Sequence, residues 1–213
     1  MKQLKERIPY YAILPLIAAF SLNMLIYAGC RLVNAGRTHY ILKTPLDDHI
    51  PFLTVFILVY VGAFAQWAIS YVLVAFTSKD LLYRIVLGDI IAKLMTCVIF
   101  LIIPTMIVRP EITGNGFLEA LTRFIYKVDA PDNLFPSIHC LESWVAFRAA
   151  LMMKKLPRWY APVSLIFTLL VFFSTVTLRQ HYLPDIPGGV VMAEAGLFIS
   201  GLILKKLKKT HGH

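Results

Sequence analysis

The sequence predicts an all-α polytopic membrane protein, a bundle of six transmembrane helices forming one domain over residues 1–213. Three observations carry this. Hydrophobic residues make up 58% of the 213 and charged residues only 15%, with a mean hydropathy of +0.70, which is outside the range of a soluble domain. The run 51–77 holds no charged side chain and exceeds the ~20 residues a helix needs to cross the hydrocarbon core. Lysine and arginine gather in the short connections beside the apolar runs, where they orient helices and meet anionic headgroups. The net charge of +9 is therefore read as a membrane signal, and nucleic acid is not expected as a partner.

Six apolar segments are read in order: 9–33, 51–77, 81–108, 136–153, 159–178 and 186–204. The first follows Lys2, Lys5 and Arg7 but is too long for a cleavable signal and lacks a small-residue cleavage pattern. Tyr10 and Tyr11 read as interfacial anchors, as do Trp159 and Tyr160. The loop 34–50 contains Asp47, Asp48 and His49, expected to be a solvated loop because nothing nearby completes a metal ligand set. In the third segment Asp89 and Lys93 lie four residues apart on one helical face, which predicts a neutralised pair that cements helices.

That segment is expected to stop at Arg109-Pro110, since proline drives its predecessor out of the helical region. Residues 111–135 form a polar loop with Gly114, Gly116, Pro131 and Asn133, and a short interfacial helix is expected over 117–126. Pro136 suits the first turn of the fourth helix, where its missing N–H is not needed; Pro184 and Pro187 do the same for the sixth. Gly188 and Gly189 would permit close packing there. Cys30, Cys97 and Cys140 show no paired spacing, so neither a disulfide framework nor a zinc site is expected.

Basic clusters at 2–7, 79–84, 154–158 and 205–209 fall on one side of this topology, which predicts cytoplasmic termini. The opposite side receives two histidine-bearing edges, the stretch 129–139, which ends in Pro136-Ser137-Ile138-His139, and Arg179-Gln180-His181-Tyr182-Leu183-Pro184-Asp185. His139 would sit in the first turn of a helix, whose N-terminal amides favour an anion such as phosphate. Asp185, four residues after His181, is spaced to accept a hydrogen bond from one imidazole nitrogen and leave the other free to attack. The central expectation is that the two edges meet and hold a lipid phosphate between the histidines. An interfacial histidine and a local helix cap are the plainer readings of each edge taken alone.

Together these edges resemble the type 2 phosphatidic acid phosphatase (PAP2) superfamily of membrane phosphatases and phosphotransferases. Pro136, Ser137 and His139 match three of four positions of its Pro-Ser-Gly-His motif. Ser174, His181 and Asp185 match a second motif, with Thr175 in place of its arginine. Arg109-Pro110 matches a third, with Ile102 in place of its lysine. The combination of Asn133, Phe135-Pro136-Ser137, His139 and Arg179 to Tyr182 with Asp185 looks more like the branch containing sphingomyelin and inositol phosphorylceramide synthases.

The resemblance implies a six-helix bundle, with His181 as nucleophile, Asp185 as its orienting partner and His139 as the acid that protonates the leaving oxygen. Arg109 and Ser137 would hold phosphate oxygens. Arg179 would supply the charge missing at Ile102 and Thr175, and Lys127 is a further, solvated candidate. No metal or cofactor is expected, because His139, His181 and Asp185 would have to abandon these roles to act as ligands.

The expected activity is hydrolysis of a lipid phosphomonoester or diphosphate, such as phosphatidate, phosphatidylglycerophosphate or an isoprenyl diphosphate. It would run through a phosphohistidine at the outer face of a cell membrane, the short loops pointing to a bacterial inner membrane. Transfer of a phospho-headgroup to a lipid hydroxyl is the alternative, and a non-catalytic lipid-phosphate binder or transporter is a third reading. The expected partners are a lipid substrate and the bilayer.

Overall fold

The computed structural model describes residues 9–210; Lys2, Lys5, Arg7, His211 and His213 lie outside them. Seven α-helices are described: α1 Tyr10–Asn34, α2 Ile57–Thr77, α3 Lys79–Ile102, α4 Phe117–Val128, α5 Ile138–Met152, α6 Tyr160–Thr177 and α7 Asp185–Thr210. No extended strand occurs among the described residues, only two isolated bridges that tie Tyr40 to Thr105 and Met106 to Asp132.

Five helical segments are long and apolar enough to cross a membrane: α1, Thr54–Thr77, α3, α6 and α7. The apolar segment expected as the fourth span forms α5, which has only 15 residues. At 1.5 Å per residue it covers ~22 Å, against a hydrocarbon core of ~30 Å. Nine of its residues are buried, Glu142 and Ser143 among them, because α2, α3, α6 and α7 surround it.

Two boundaries differ from expectation for local reasons. Helix α3 ends at Ile102 rather than 108, since Pro104 forces Ile103 out of the helical region. Residues 103–116 then run as irregular chain, pinned where Tyr40 N donates to Pro104 O and Met106 N to Tyr40 O. Helix α2 starts at Ile57, after irregular chain over 51–53, where Leu53 N donates to Thr177 O at 3.2 Å, and a 3-10 turn over Thr54–Phe56. The interfacial helix expected over 117–126 is α4, which starts behind Gly116.

Helix α7 packs on both α3 and α5 through small residues, with Gly189, Ala193, Gly196 and Ser200 all buried. A Cβ on Gly196 would lie 2.2 Å from Gly88 O, and one on Gly189 would lie 2.4 Å from Ser137 O. These contacts draw the start of α7 against the start of α5. Deeper in the bundle Lys93 pairs with Asp89 at 2.8 Å, as its spacing predicted, and also with Glu142 of α5. Tyr71 Oη donates to Glu142 at 3.3 Å. Arg148 pairs with Glu194 at 2.7 Å across α5 and α7.

Candidate active site

The turn between α6 and α7 is built by one carbonyl. Thr175 O accepts from both Gln180 N at 2.9 Å and His181 N at 3.1 Å, which closes the end of α6 and swings the chain back towards α5. Arg179 sits at the apex with φ of 49°, a left-handed conformation that a non-glycine residue holds only when its surroundings enforce it. Its guanidinium provides the restraint, donating to Asp47 O at 2.7 Å and Ile50 O at 2.6 Å. The expectation of a solvated loop thus fails for Asp47, which is only 1% exposed. Its carboxylate accepts from Leu183 N at 2.9 Å and from Thr44 N and Oγ1, both at 2.7 Å. Asp48 stays at the surface beside Lys43.

His181 and Asp185 are buried together. His181 Nδ1 lies 3.0 Å from Asp185 Oδ2, which also accepts from Tyr182 N at 3.0 Å. An ionised carboxylate only accepts, so Nδ1 carries the proton and Nε2 keeps its lone pair. Asp185 O accepts from Ser137 N at 3.1 Å, which couples this turn directly to α5. Ser137 Oγ accepts from Cys140 N at 3.2 Å and is the N-cap of α5, one residue before Ile138.

The second histidine faces the first. The rings of His139 and His181 have centroids 6.4 Å apart and are tilted by 55°. His139 is stacked on Tyr60, with centroids 4.1 Å apart and planes 21° apart, and is flanked by Phe64 and Trp67. Tyr60 Oη is 3.4 Å from His139 Nδ1 across this stack, a poor direction for an in-plane ring hydrogen bond. Its proton goes instead to Asp129 Oδ2 at 2.8 Å, while Tyr27 Oη donates to Asp129 Oδ1 at 2.8 Å. His139 Nε2 has no hydrogen-bond partner among the described residues.

Both histidines line a cavity of about 330 Å³ bounded by α1, α2, α4 and the segment leading into α5. Tyr27, Tyr60, Phe64 and Trp67 form its aromatic walls, and Asn23, Asp129, Asp132, Asn133 and Gln180 are its other polar side chains. No lysine or arginine lines it among the described residues. Burial holds the Asp132 carboxyl above the usual carboxylate range, with Arg31, 3.4 Å away, pulling the other way.

The basic residues expected at the phosphate are placed differently from the histidines. Arg109 donates to Tyr126 O at 3.0 Å, Asp129 O at 2.6 Å, Ala130 O at 3.4 Å and Gln180 Oε1, and lies 4.4 Å from the Tyr126 ring centroid. Arg179 is turned to the 45–50 strap, and Lys127 is exposed on α4. Thr175 and Ile102 do not reach the cavity: the Thr175 hydroxyl donates to Phe172 O, and Ile102 is 66% exposed. Tyr60, Asp129 and Gln180 were not singled out from sequence. Asp129 and Gln180 fall inside the two motif-bearing stretches, whereas Tyr60 lies in a charge-free run with nothing local to mark it.

The family pattern of the PAP2 superfamily matches residues 36–199, and the chain belongs to that superfamily. Comparison with curated proteins and with solved structures finds no match. Membership supports a phosphatase-type or phosphotransferase-type activity on a lipid-type substrate, and the apolar helices fit a multi-pass protein in a bilayer.

Proposed function

We propose that this protein is an integral membrane lipid phosphatase acting through a phosphohistidine on His181. His181 Nε2 attacks phosphorus as the ester P–O bond breaks, and the leaving oxygen takes a proton from His139. Water, deprotonated by His139, then attacks phosphorus, the P–N bond breaks, and phosphate leaves. Asp185 holds the His181 tautomer and stabilises positive charge on its ring. Ser137 acts by capping α5 and anchoring the Asp185 carbonyl. The observation that carries this reading is the 6.4 Å approach of two imidazoles from separate helix edges, one of them paired with a buried carboxylate.

A second reading, transfer of a phospho-headgroup to a lipid hydroxyl, is favoured by one feature. Two carboxylates and no lysine or arginine line the cavity, which suits a singly charged phosphodiester better than a doubly charged phosphomonoester. The first chemical step is the same. In the bilayer, α5 is the sixth crossing, with both termini cytoplasmic and the histidines at the outer face. The basic ends of α3 and α7 support this, lying together at the opposite end of the bundle, where Asp80 pairs with Lys208.

The test is a panel of lipid phosphomonoesters, diphosphates and phosphodiesters offered to the purified protein in detergent. Phosphate release that disappears in His181→Ala supports the hydrolase, and headgroup transfer without release supports the transferase. Inactivity towards the whole panel would point to a binder and overturn both.

A further inference from the structure

Gln180 is 1% exposed and lies immediately before His181. A buried primary amide has one acceptor and two donors to satisfy, and its orientation follows from whichever partner is unambiguous. Here that partner is Arg109, whose guanidinium only donates, so the amide oxygen faces Arg109 and the NH2 group faces the other way. Gln180 lines the cavity beside both histidines, and its Nε2 has no hydrogen-bond partner among the described residues. Arg109 is itself held by three backbone carbonyls and the Tyr126 ring, so the amide is backed by a fixed cation.

Phosphoryl transfer depends on donors arranged around the equatorial oxygens before the reaction begins. Neither Thr175 nor Ile102 offers one; the terminal guanidinium nitrogens of Arg109 and Arg179 are engaged elsewhere, and neither residue lines the cavity. We propose that the Gln180 side-chain amide is the hydrogen-bond donor to the phosphoryl oxygen at His181, with Arg109 acting behind it as a positioning residue. The inference rests on the phosphohistidine reading. It assigns the oxygen-holding role to a neutral donor strengthened by a cation it touches, so that charge reaches the phosphate by polarisation rather than by contact.

The probe is orthovanadate, which mimics the five-coordinate phosphorus of the transfer step, bound to the full-length protein in detergent. Loss of one such donor costs roughly a hundredfold or more in transition-state stabilisation, so Gln180→Leu should weaken vanadate binding by at least about tenfold. Its thermal midpoint should stay close to wild type. Gln180→Glu, of the same shape but without donors, should bind more weakly still.

A readout without substitution comes from nitrogen-15 labelling of glutamine side chains, because Gln3 and Gln66 are the chain's other glutamines. Vanadate should shift the Gln180 amide resonance and leave Gln66, which donates to Thr168, in place. Undiminished binding by Gln180→Leu, or an unmoved Gln180 resonance under saturating vanadate, would overturn the assignment. His181→Ala separates the two levels of the argument. If it remains active, the phosphohistidine reading falls; if it is inactive while Gln180→Leu is unimpaired, only the role of Gln180 falls.

Discussion

Gly189→Ala is the substitution whose consequence follows most directly from the geometry. Gly189 lies in the first turns of α7, where an added Cβ would stand 2.4 Å from Ser137 O, 3.0 Å from Cys140 Cβ and 3.0 Å from Leu141 N. All three belong to the start of α5, and two are backbone atoms that cannot rotate away. Restoring an ordinary contact of 3.4 Å to the carbonyl requires α7 to retreat from α5 by about 1 Å. That retreat stretches the Ser137 N to Asp185 O hydrogen bond, now 3.1 Å, and carries His181 away from His139. Overpacking of this kind costs about 1–3 kcal/mol, and a 1 Å displacement between reacting groups costs about a hundredfold in rate. Turnover of whichever lipid the substrate panel selects, measured beside thermal unfolding in detergent, should show both losses. Gly29→Ala is the control: nothing lies within 4 Å of its added Cβ, and stability should hold or rise by up to about 1 kcal/mol. A Gly189→Ala protein with a rate within twofold of wild type would refute the claim that the α5–α7 approach sets the distance between the histidines.

Asp185→Asn should lower turnover by about ten-thousandfold with little change in folding, because an amide also supports the wrong His181 tautomer; a loss below tenfold would deny it the orienting role. Lys93→Met leaves Asp89 and Glu142 buried without their cation and should destabilise the bundle by about 3–5 kcal/mol, whereas Asp89→Asn, which leaves the Lys93–Glu142 pair, should cost far less in thermal unfolding. Arg179→Ala should release the 45–50 strap, seen as faster proteolysis there, and leave the substrate KM unchanged. A KM raised tenfold with the strap still protected would show instead that Arg179 holds the phosphate.

The pairing of His181 with Asp185 and the helix start beside His139 were legible because their signals are local. His181 and Asp185 are four residues apart, and Pro136 and Ser137 mark a helix start next to His139. What joins the two edges is not local: Gly189 under Ser137, Tyr60 stacked on His139, and Asp129 holding two phenols are contacts between distant parts of the chain. The sixth crossing rests on α5, the one segment that length and hydropathy do not by themselves carry across the bilayer. Its apolar residues face other helices, so hydropathy alone cannot tell a short buried helix from a full crossing. Arg109 and Arg179 were read by their proximity to the motifs. Their side-chain directions depend on carbonyls freed by the 126–130 turn and the 45–50 strap, which no spacing rule anticipates. Asp47 looked solvated because two of its partners, Leu183 N and the Arg179 guanidinium on its carbonyl, lie over 130 residues on.

The central claim is that His181 becomes phosphorylated. It is tested most directly by rapidly quenching the purified protein with a phosphorus-32-labelled lipid substrate under alkaline conditions, followed by peptide mapping. The account predicts an acid-labile, alkali-stable label on the peptide bearing His181, absent from His181→Ala and longer-lived in His139→Ala, where water lacks its base. Turnover without any label on His181, or label on another residue, would contradict it.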